Sequence, residues 1–316
     1  MKLACKIEDA TQAKNIVGIQ NANLKILEEL FACQIDLCGD EIVCDLKDEQ
    51  QAHRLNAMIA AMLQIASYGI YLKGRDLIYL KNMIDTDRLD AYDAFLQNRK
   101  PIAYTVSNKP LYAKTLKQKE YLSKLDQHDL IFALGAAGSG KTYLAVVYAV
   151  MMLKSNRIGK IILTRPAVEA GESLGFLPGD FKEKVDPYLR PLYDALYDLL
   201  GMEQTNQLIE KNILEIAPLA YMRGRTLEDA IVILDEAQNA TSEQLKMFLT
   251  RLGFQSKMIV TGDPSQIDLP NRRSGLKMTA DLLADLKEVA IVRFDTFDVV
   301  RHPLVAKIIE RFEKIS

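Results

Sequence analysis

The eight residues Gly135-Ala136-Ala137-Gly138-Ser139-Gly140-Lys141-Thr142 constrain this chain more than any other stretch. They fit the spacing G-x-x-x-x-G-K-[ST] and stand directly after an apolar run, Leu130 to Leu134. Tyr143 to Leu153 follows, an apolar segment that reads as a helix buried on nearly every side. A loop in that setting wraps backbone amides around phosphate groups, and the helix N-terminus adds positive potential. Gly135, Gly138 and Gly140 let the backbone come close, Lys141 reaches the β and γ phosphates, and the Thr142 hydroxyl is placed to ligate Mg2+. A plain glycine turn is the competing explanation, and the strand-loop-helix context argues against it.

The sequence around the loop predicts an α/β domain. Short β-rich runs at Leu130 to Leu134, Lys160 to Thr164, Ile213 to Ala217, Ile231 to Leu234, Met258 to Thr261 and Ala290 to Arg293 alternate with helical stretches. That alternation implies a mainly parallel sheet covered on both faces. Ile231 to Leu234 delivers Asp235 and Glu236 to a strand end, the Walker B pattern. Ligands sit beyond such strand ends, so Asp235 is expected to hold the metal through water and Glu236 to polarise an attacking water. A third strand runs into Thr261-Gly262-Asp263-Pro264-Ser265-Gln266. Thr261 and Gln266 are candidates for sensing the γ phosphate, although turn chemistry alone accounts for Gly262, Asp263 and Pro264. Arg223, Arg225, Arg251, Arg273 and Arg301 are candidate cations for the transferred phosphoryl group, and the sequence does not choose among them.

The first ninety or so residues read as a small α+β unit. Cys33, Ile35 and Leu37, then Ile42, Cys44 and Leu46, alternate with polar residues about a Gly39-Asp40 turn, a hairpin signal. A long helix from about Asp48 to Tyr68 comes next. From Arg99 to Lys124 seven Lys or Arg stand against one acid, Glu120, with Tyr104, Tyr112 and Tyr121 interleaved. This reads as a basic linker, either a solvated connector or a track for an RNA backbone. The expected division is therefore 1–95, a linker at 96–117, and 118–316.

A formal charge of -2 excludes a chain that is basic throughout, so any nucleic-acid contact must be local. Cys5, Cys33, Cys38 and Cys44 contain no C-x-x-C pair, which argues against zinc, and with no signal peptide they point to a cytoplasmic protein. The longest apolar stretch falls short of the roughly 20 residues that span a bilayer, so no membrane helix is expected.

Several blocks carry a family resemblance: TRPAVEAGESLGFLPGD from Thr164, then KVDPYLRPLYDAL, APLAYMRGRTL, LDEAQNAT, LTRLG, TGDPSQIDLP and DVVRHPLV. From Gln118 to Val305 the chain resembles the PhoH-like proteins, relatives of the superfamily 1 helicase core. The resemblance covers roughly the last two thirds of the chain. It implies a P-loop NTPase core of the RecA/helicase type, preceded by a small α+β KH-like domain. It further implies ATP as nucleotide, Gln118 as the reader of the adenine edge, Gln238 and Gln266 as γ-phosphate couplers, and Arg251 as a finger reaching a neighbouring subunit. A KH-like module implies RNA, but the nearest match to a G-x-x-G clamp, Gly18-Ile19-Gln20-Asn21, lacks the second glycine.

Only thirteen residues follow the DVVRHP block, so no second ATPase core is expected within the chain. A homo-oligomeric ring, a hexamer, with ATP sites between subunits follows as an expectation. The leading reading is a Mg-dependent ATPase that remodels RNA, helicase-like and linked by resemblance to ribosomal RNA maturation and a YbeY-type endoribonuclease. In that reading the loop from Arg165 to Asp180 touches the strand. A nucleotide-controlled scaffold that recruits the nuclease is the alternative. A small-molecule kinase is a third reading, which Glu236 beside Asp235 disfavours.

Overall fold

A strand covered on both faces must be apolar along nearly its whole length, and the six runs named above meet that requirement. In the computed structural model, which describes residues 2–6, 10–39, 41–166, 181–269, 274–299 and 311, the chain divides into two compact units between Arg99 and Lys100.

The first unit begins with β1 (Lys2–Lys6), α1 (Ala10–Val17) and α2 (Ala22–Phe31). Gly18 to Asn21 forms the turn between the two helices, with Gln20 and Asn21 at φ 53° and 60°. The expected hairpin follows as β2 (Ile35–Cys38) and β3 (Glu41–Cys44), and the sheet is antiparallel in the order β1-β3-β2. Ile35, Ile42 and Cys44 point inward as the alternation requires, whereas Leu37, towards the end of edge strand β2, is 37% exposed. Helix α3 (Glu49–Ser67) starts where the Asp48 carboxylate accepts the N–H groups of Gln50 and Gln51, a cap that contributes about 1 kcal/mol. Its Leu55, Met58, Ile59 and Met62 are fully buried, and α4 (Gly74–Asp85) and α5 (Leu89–Gln97) follow.

The second unit opens with a two-stranded antiparallel ladder, β4 (Ala103–Tyr104) and β5 (Pro110–Leu111). Ile102, Ala103 and Leu111 pack against the apolar core beneath the main sheet, so the basic stretch from Lys100 onward belongs to this unit. Its tyrosines differ: Tyr104 is exposed, and Tyr121 lies in the core. Helix α6 (Leu116–Gln127) is capped by the Thr115 hydroxyl, which accepts the Gln118 N–H at 3.1 Å.

The main sheet and its helices then alternate in sequence: β6 (Leu130–Gly135), α7 (Lys141–Lys154), β7 (Lys160–Arg165), α8 (Phe181–Leu200), α9 (Met202–Glu210), β8 (Leu214–Pro218) and β9 (Ala230–Leu234). After them come α10 (Ser242–Leu249), β10 (Lys257–Gly262), α11 (Leu276–Leu282) and β11 (Val289–Phe294). All six expected strands form, and every pairing among them is parallel, in the order β11-β6-β10-β9-β7-β8.

Helices cover both faces. Val146 and Val147 of α7, with Leu192 and Leu196 of α8, pack on Ile131, Leu163 and Ile233 on one side. Leu245 and Phe248 of α10, with Leu276 of α11, pack on Phe132, Val232 and Val260 on the other. Each such side chain contributes on the order of 1.5–3 kcal/mol by leaving water. Among the described residues no helix is long and apolar enough to cross a membrane. The sheet order has one consequence for function. Strand β10 lies between β6 and β9, so the loops after all three strands meet at one edge of the sheet.

Candidate functional site

The glycine-rich loop leaves β6 and enters α7 at Lys141, as the spacing requires. Gly135 sits at φ 136°, and a Cβ there would lie 2.2 Å from the Phe294 carbonyl oxygen on the paired strand β11, so only glycine fits. The Lys141 ammonium donates to the carbonyl oxygens of Gly135 at 2.6 Å and Ala136 at 2.8 Å, and to Ser139 Oγ at 3.1 Å. It therefore lies across the loop's concave side, among the groups that would surround a phosphate.

Thr142, one residue into α7, meets the ends of the neighbouring strands. Its hydroxyl donates to Asp235 Oδ1 at 2.6 Å, the Thr261 hydroxyl donates to the same oxygen at 2.8 Å, and the two hydroxyl oxygens lie 3.2 Å apart. Asp235 and Thr261 are buried at the ends of β9 and β10, so the sheet fixes this cluster. Behind it, Tyr121 is wholly buried against Phe294, with ring centroids 5.6 Å apart. Burial, and then the charge of Asp235, push its hydroxyl pKa upward.

Glu236 adopts a left-handed backbone, φ 52°, unusual for a residue with a side chain. One carboxylate oxygen faces the Arg165 guanidinium at 3.3 Å and the other accepts from the Gln238 side-chain amide. Gln238 in turn accepts the Asp263 backbone N–H at 2.9 Å, and Asp263 Oδ2 accepts the Ala137 N–H of the loop at 3.1 Å. A cavity of about 270 Å³ opens among these groups, lined by Ala137, Gly138, Gly140, Lys141, Thr142, Asp235, Glu236, Asp263 and Gln266. Tyr143 and Gly262 line it as well; the sequence explained Gly262 and Asp263 as turn chemistry, did not assign Tyr143 to the site, and singled out the others.

Four described candidates, Gln118, Arg251, Arg225 and Arg223, sit elsewhere. Gln118 is 6% exposed and stands behind the loop: its amide oxygen accepts the Lys114 N–H at 2.7 Å and its NH2 donates to the Ser139 carbonyl at 2.9 Å. Arg251 does not reach the cavity of its own chain. It follows α10 near the amino ends of the strands, and its guanidinium donates to the carbonyls of Met247 and Arg225 and to the Thr250 hydroxyl. Arg225 is forked onto Glu215 at 2.6 and 2.7 Å, and that hydrogen bonding raises its pKa. Arg223 is exposed, and Arg273, Arg301 and the loop at 167–180 lie outside the described residues. Arg165 is the cation that the list of arginine candidates missed. Its place at a strand end beside the Walker B strand was the available signal.

The family model described as PhoH-like protein matches residues 110–313. A PhoH-like protein of Bacillus subtilis (strain 168) is 51% identical over 312 residues, covering 98% of this chain and 96% of its own. The PhoH-like protein of Mycobacterium leprae (strain TN) is 55% identical, covering 94% of this chain and 84% of its own. That of Synechocystis sp. (strain ATCC 27184 / PCC 6803 / Kazusa) is 45% identical, covering 95% and 90%. On the family match over residues 110–313 and relatives 45–55% identical over nearly the whole chain, this chain is a member of the PhoH-like protein family.

Proposed function

We propose that the second unit hydrolyses ATP with Mg2+ and that the chain uses the energy in RNA metabolism. The observation that carries the hydrolytic part is the convergence of Lys141, Thr142, Asp235 and Glu236 on one cavity. Two hydroxyls and a carboxylate form an all-oxygen donor set, which suits a hard dication that keeps several waters. Thr142 and Asp235 would hold it, and a bound dication draws charge from the phosphates. The loop amides would cradle the phosphate chain while Lys141 turns from the loop carbonyls to the β and γ oxygens. Glu236 takes a proton from the water whose oxygen bonds to the γ phosphorus, the bond to the bridging oxygen breaks, and ADP and phosphate leave. Gln266, at the cavity's edge, suits a contact to the γ phosphate. The preference for adenine rests on the family resemblance.

The RNA part is supported by the resemblance and by the run of lysines and arginines entering the second unit. A homo-oligomeric ring, a hexamer, is proposed with it on the strength of the family resemblance, and a finger role for Arg251 would require its guanidinium to leave Met247, Arg225 and Thr250 of its own chain. A YbeY-type endoribonuclease is a proposed partner and the cytoplasm the proposed location, both as the resemblance and the sequence imply. Steady-state ATP turnover with and without single-stranded RNA tests the reading. A several-fold rise with RNA is expected, with Lys141→Ala and Glu236→Gln inactive. An unchanged rate favours the nucleotide-controlled scaffold, and full turnover by Lys141→Ala refutes the site. Sedimentation with ATP and Mg2+ that finds only monomers refutes the ring.

A further inference from the structure

We propose that Asp263 is a positioning residue that ties the phosphate loop to Glu236, so that loop and candidate base move as one. The proposal rests on the hydrolytic reading above. Turn chemistry accounts for only half of what the Asp263 side chain does. Its Oδ1 accepts the Ser265 N–H at 3.0 Å and the Ser265 hydroxyl at 2.6 Å, which closes the local turn. Its Oδ2 leaves the turn and accepts the Ala137 N–H, far away in sequence, at 3.1 Å.

The backbone of Asp263 extends the connection. Its N–H is donated to Gln238 Oε1 at 2.9 Å, and the Gln238 amide nitrogen donates to Glu236. Three hydrogen bonds thus link the loop to Glu236 through Asp263 and Gln238. Both linking residues are buried, Gln238 at 1% and Asp263 at 6% exposure, where an unmade hydrogen bond costs more than at a wet surface. The close approach is built in. A Cβ at residue 262 would lie 2.8 Å from Gln238 Oε1 and 2.6 Å from Leu276 Cδ2, so glycine is needed there for Gln238 to reach. Glu236 also needs an external hold, because its left-handed backbone is strained on its own.

A residue that only completes a turn and one that orients the base have different kinetic signatures. The test measures kcat, KM and the affinity for a fluorescent ATP analogue in Asp263→Ala, Asp263→Asn, Gln238→Ala, Ser265→Ala and the double variant Asp263→Ala with Gln238→Ala. The expected result is a loss of about tenfold or more in kcat for Asp263→Ala, with affinity within about threefold. Asp263→Asn, whose amide oxygen still accepts an N–H, recovers part of the loss, and Ser265→Ala stays within about twofold of the parent. The double variant is no slower than the slower single one, because both break the same chain. Additive losses, a fall in affinity with kcat intact, or a Ser265→Ala defect as large as that of Asp263→Ala would overturn the proposal. If Asp263→Ala does not fold by its melting curve, Gln238→Ala alone carries the test, and a kcat within about twofold of the parent's overturns the proposal. Lys141→Ala in parallel separates the two levels: should it still turn over ATP, the hydrolytic reading fails, and should it be inactive while the cycle is additive, only the link fails.

Discussion

The guanidinium of Arg165, the last residue of β7, lies 3.3 Å from a carboxylate oxygen of Glu236, just beyond β9. The two side chains are 22% and 36% exposed, so the pair is partly shielded from solvent, and its carboxylate lines the cavity. It orients the group proposed to activate water. Arg165→Ala is expected to lower kcat about tenfold, a part of what general-base catalysis supplies, with nucleotide affinity within about twofold. Arg165→Lys keeps the charge but not the planar fork and should recover part of the rate. Steady-state kinetics decide it: a fall in affinity with kcat unchanged would mean that Arg165 holds the nucleotide rather than the glutamate.

Gln118 supplies a second prediction. Both halves of its amide are engaged by backbone, at Lys114 and Ser139, which makes it a brace for the loop. Removing the side chain strands the buried Ser139 carbonyl, at about 1–3 kcal/mol, and leaves the part-buried Lys114 N–H without this acceptor. Gln118→Ala should therefore lower the melting temperature and weaken ATP and GTP to the same extent. Titrations with both nucleotides check this, and a loss confined to ATP would assign Gln118 to the adenine edge, the role that the resemblance implied.

What the sequence made legible follows from the range of the forces involved. Strands such as Ile231 to Leu234 are buried on both faces, so an unbroken apolar run marks them, and the acids that follow stand out. The phosphate loop was legible because each of its positions has a local task. Sheet order was not, since the crossovers that set β10 between β6 and β9 leave no periodic mark. The Arg165 to Glu236 pair and the link through Asp263 join residues far apart in the chain, and only the fold brings them together. Leu37 shows the limit of alternation at an edge strand, where a pattern of inward residues does not guarantee cover.

Thiol chemistry gives a prediction in the first unit. Burial, then the negative groups at Cys44, Asp45 and Glu28, push the Cys33 pKa up to about 11. The thiolate is the reactive form, so Cys33 stays protonated and inert at about pH 8 and gains reactivity only as pH rises towards that value. Cys38 is exposed and should be alkylated before Cys33. Mass spectrometry after brief iodoacetamide treatment reads the order, and Cys33 labelling as fast as Cys38 at about pH 8 would contradict it.

The last prediction separates packing from phosphate contact at the loop's first residue. Gly135 pairs with Phe294 on β11, and a Cβ there would lie 2.2 Å from the Phe294 carbonyl oxygen and 2.9 Å from its Cβ. Neither atom is the end of a flexible side chain, so the strand itself has to shift. The φ of 136° adds strain for any other residue. Gly135→Ala should cost at least about 2 kcal/mol of stability, in the range of overpacked core positions. Because β11 also carries Phe294 against Tyr121, the disturbance reaches the wall behind Asp235. Thermal melting should show the loss without nucleotide present, and lowering the temperature should restore part of the ATP turnover. Lys141→Ala, which removes a charge from the site without crowding the sheet, should differ in one respect: no turnover at any temperature, so that cooling restores nothing. If Gly135→Ala melts with the parent and fails only in nucleotide binding, the glycine serves the phosphates rather than the approach of β11.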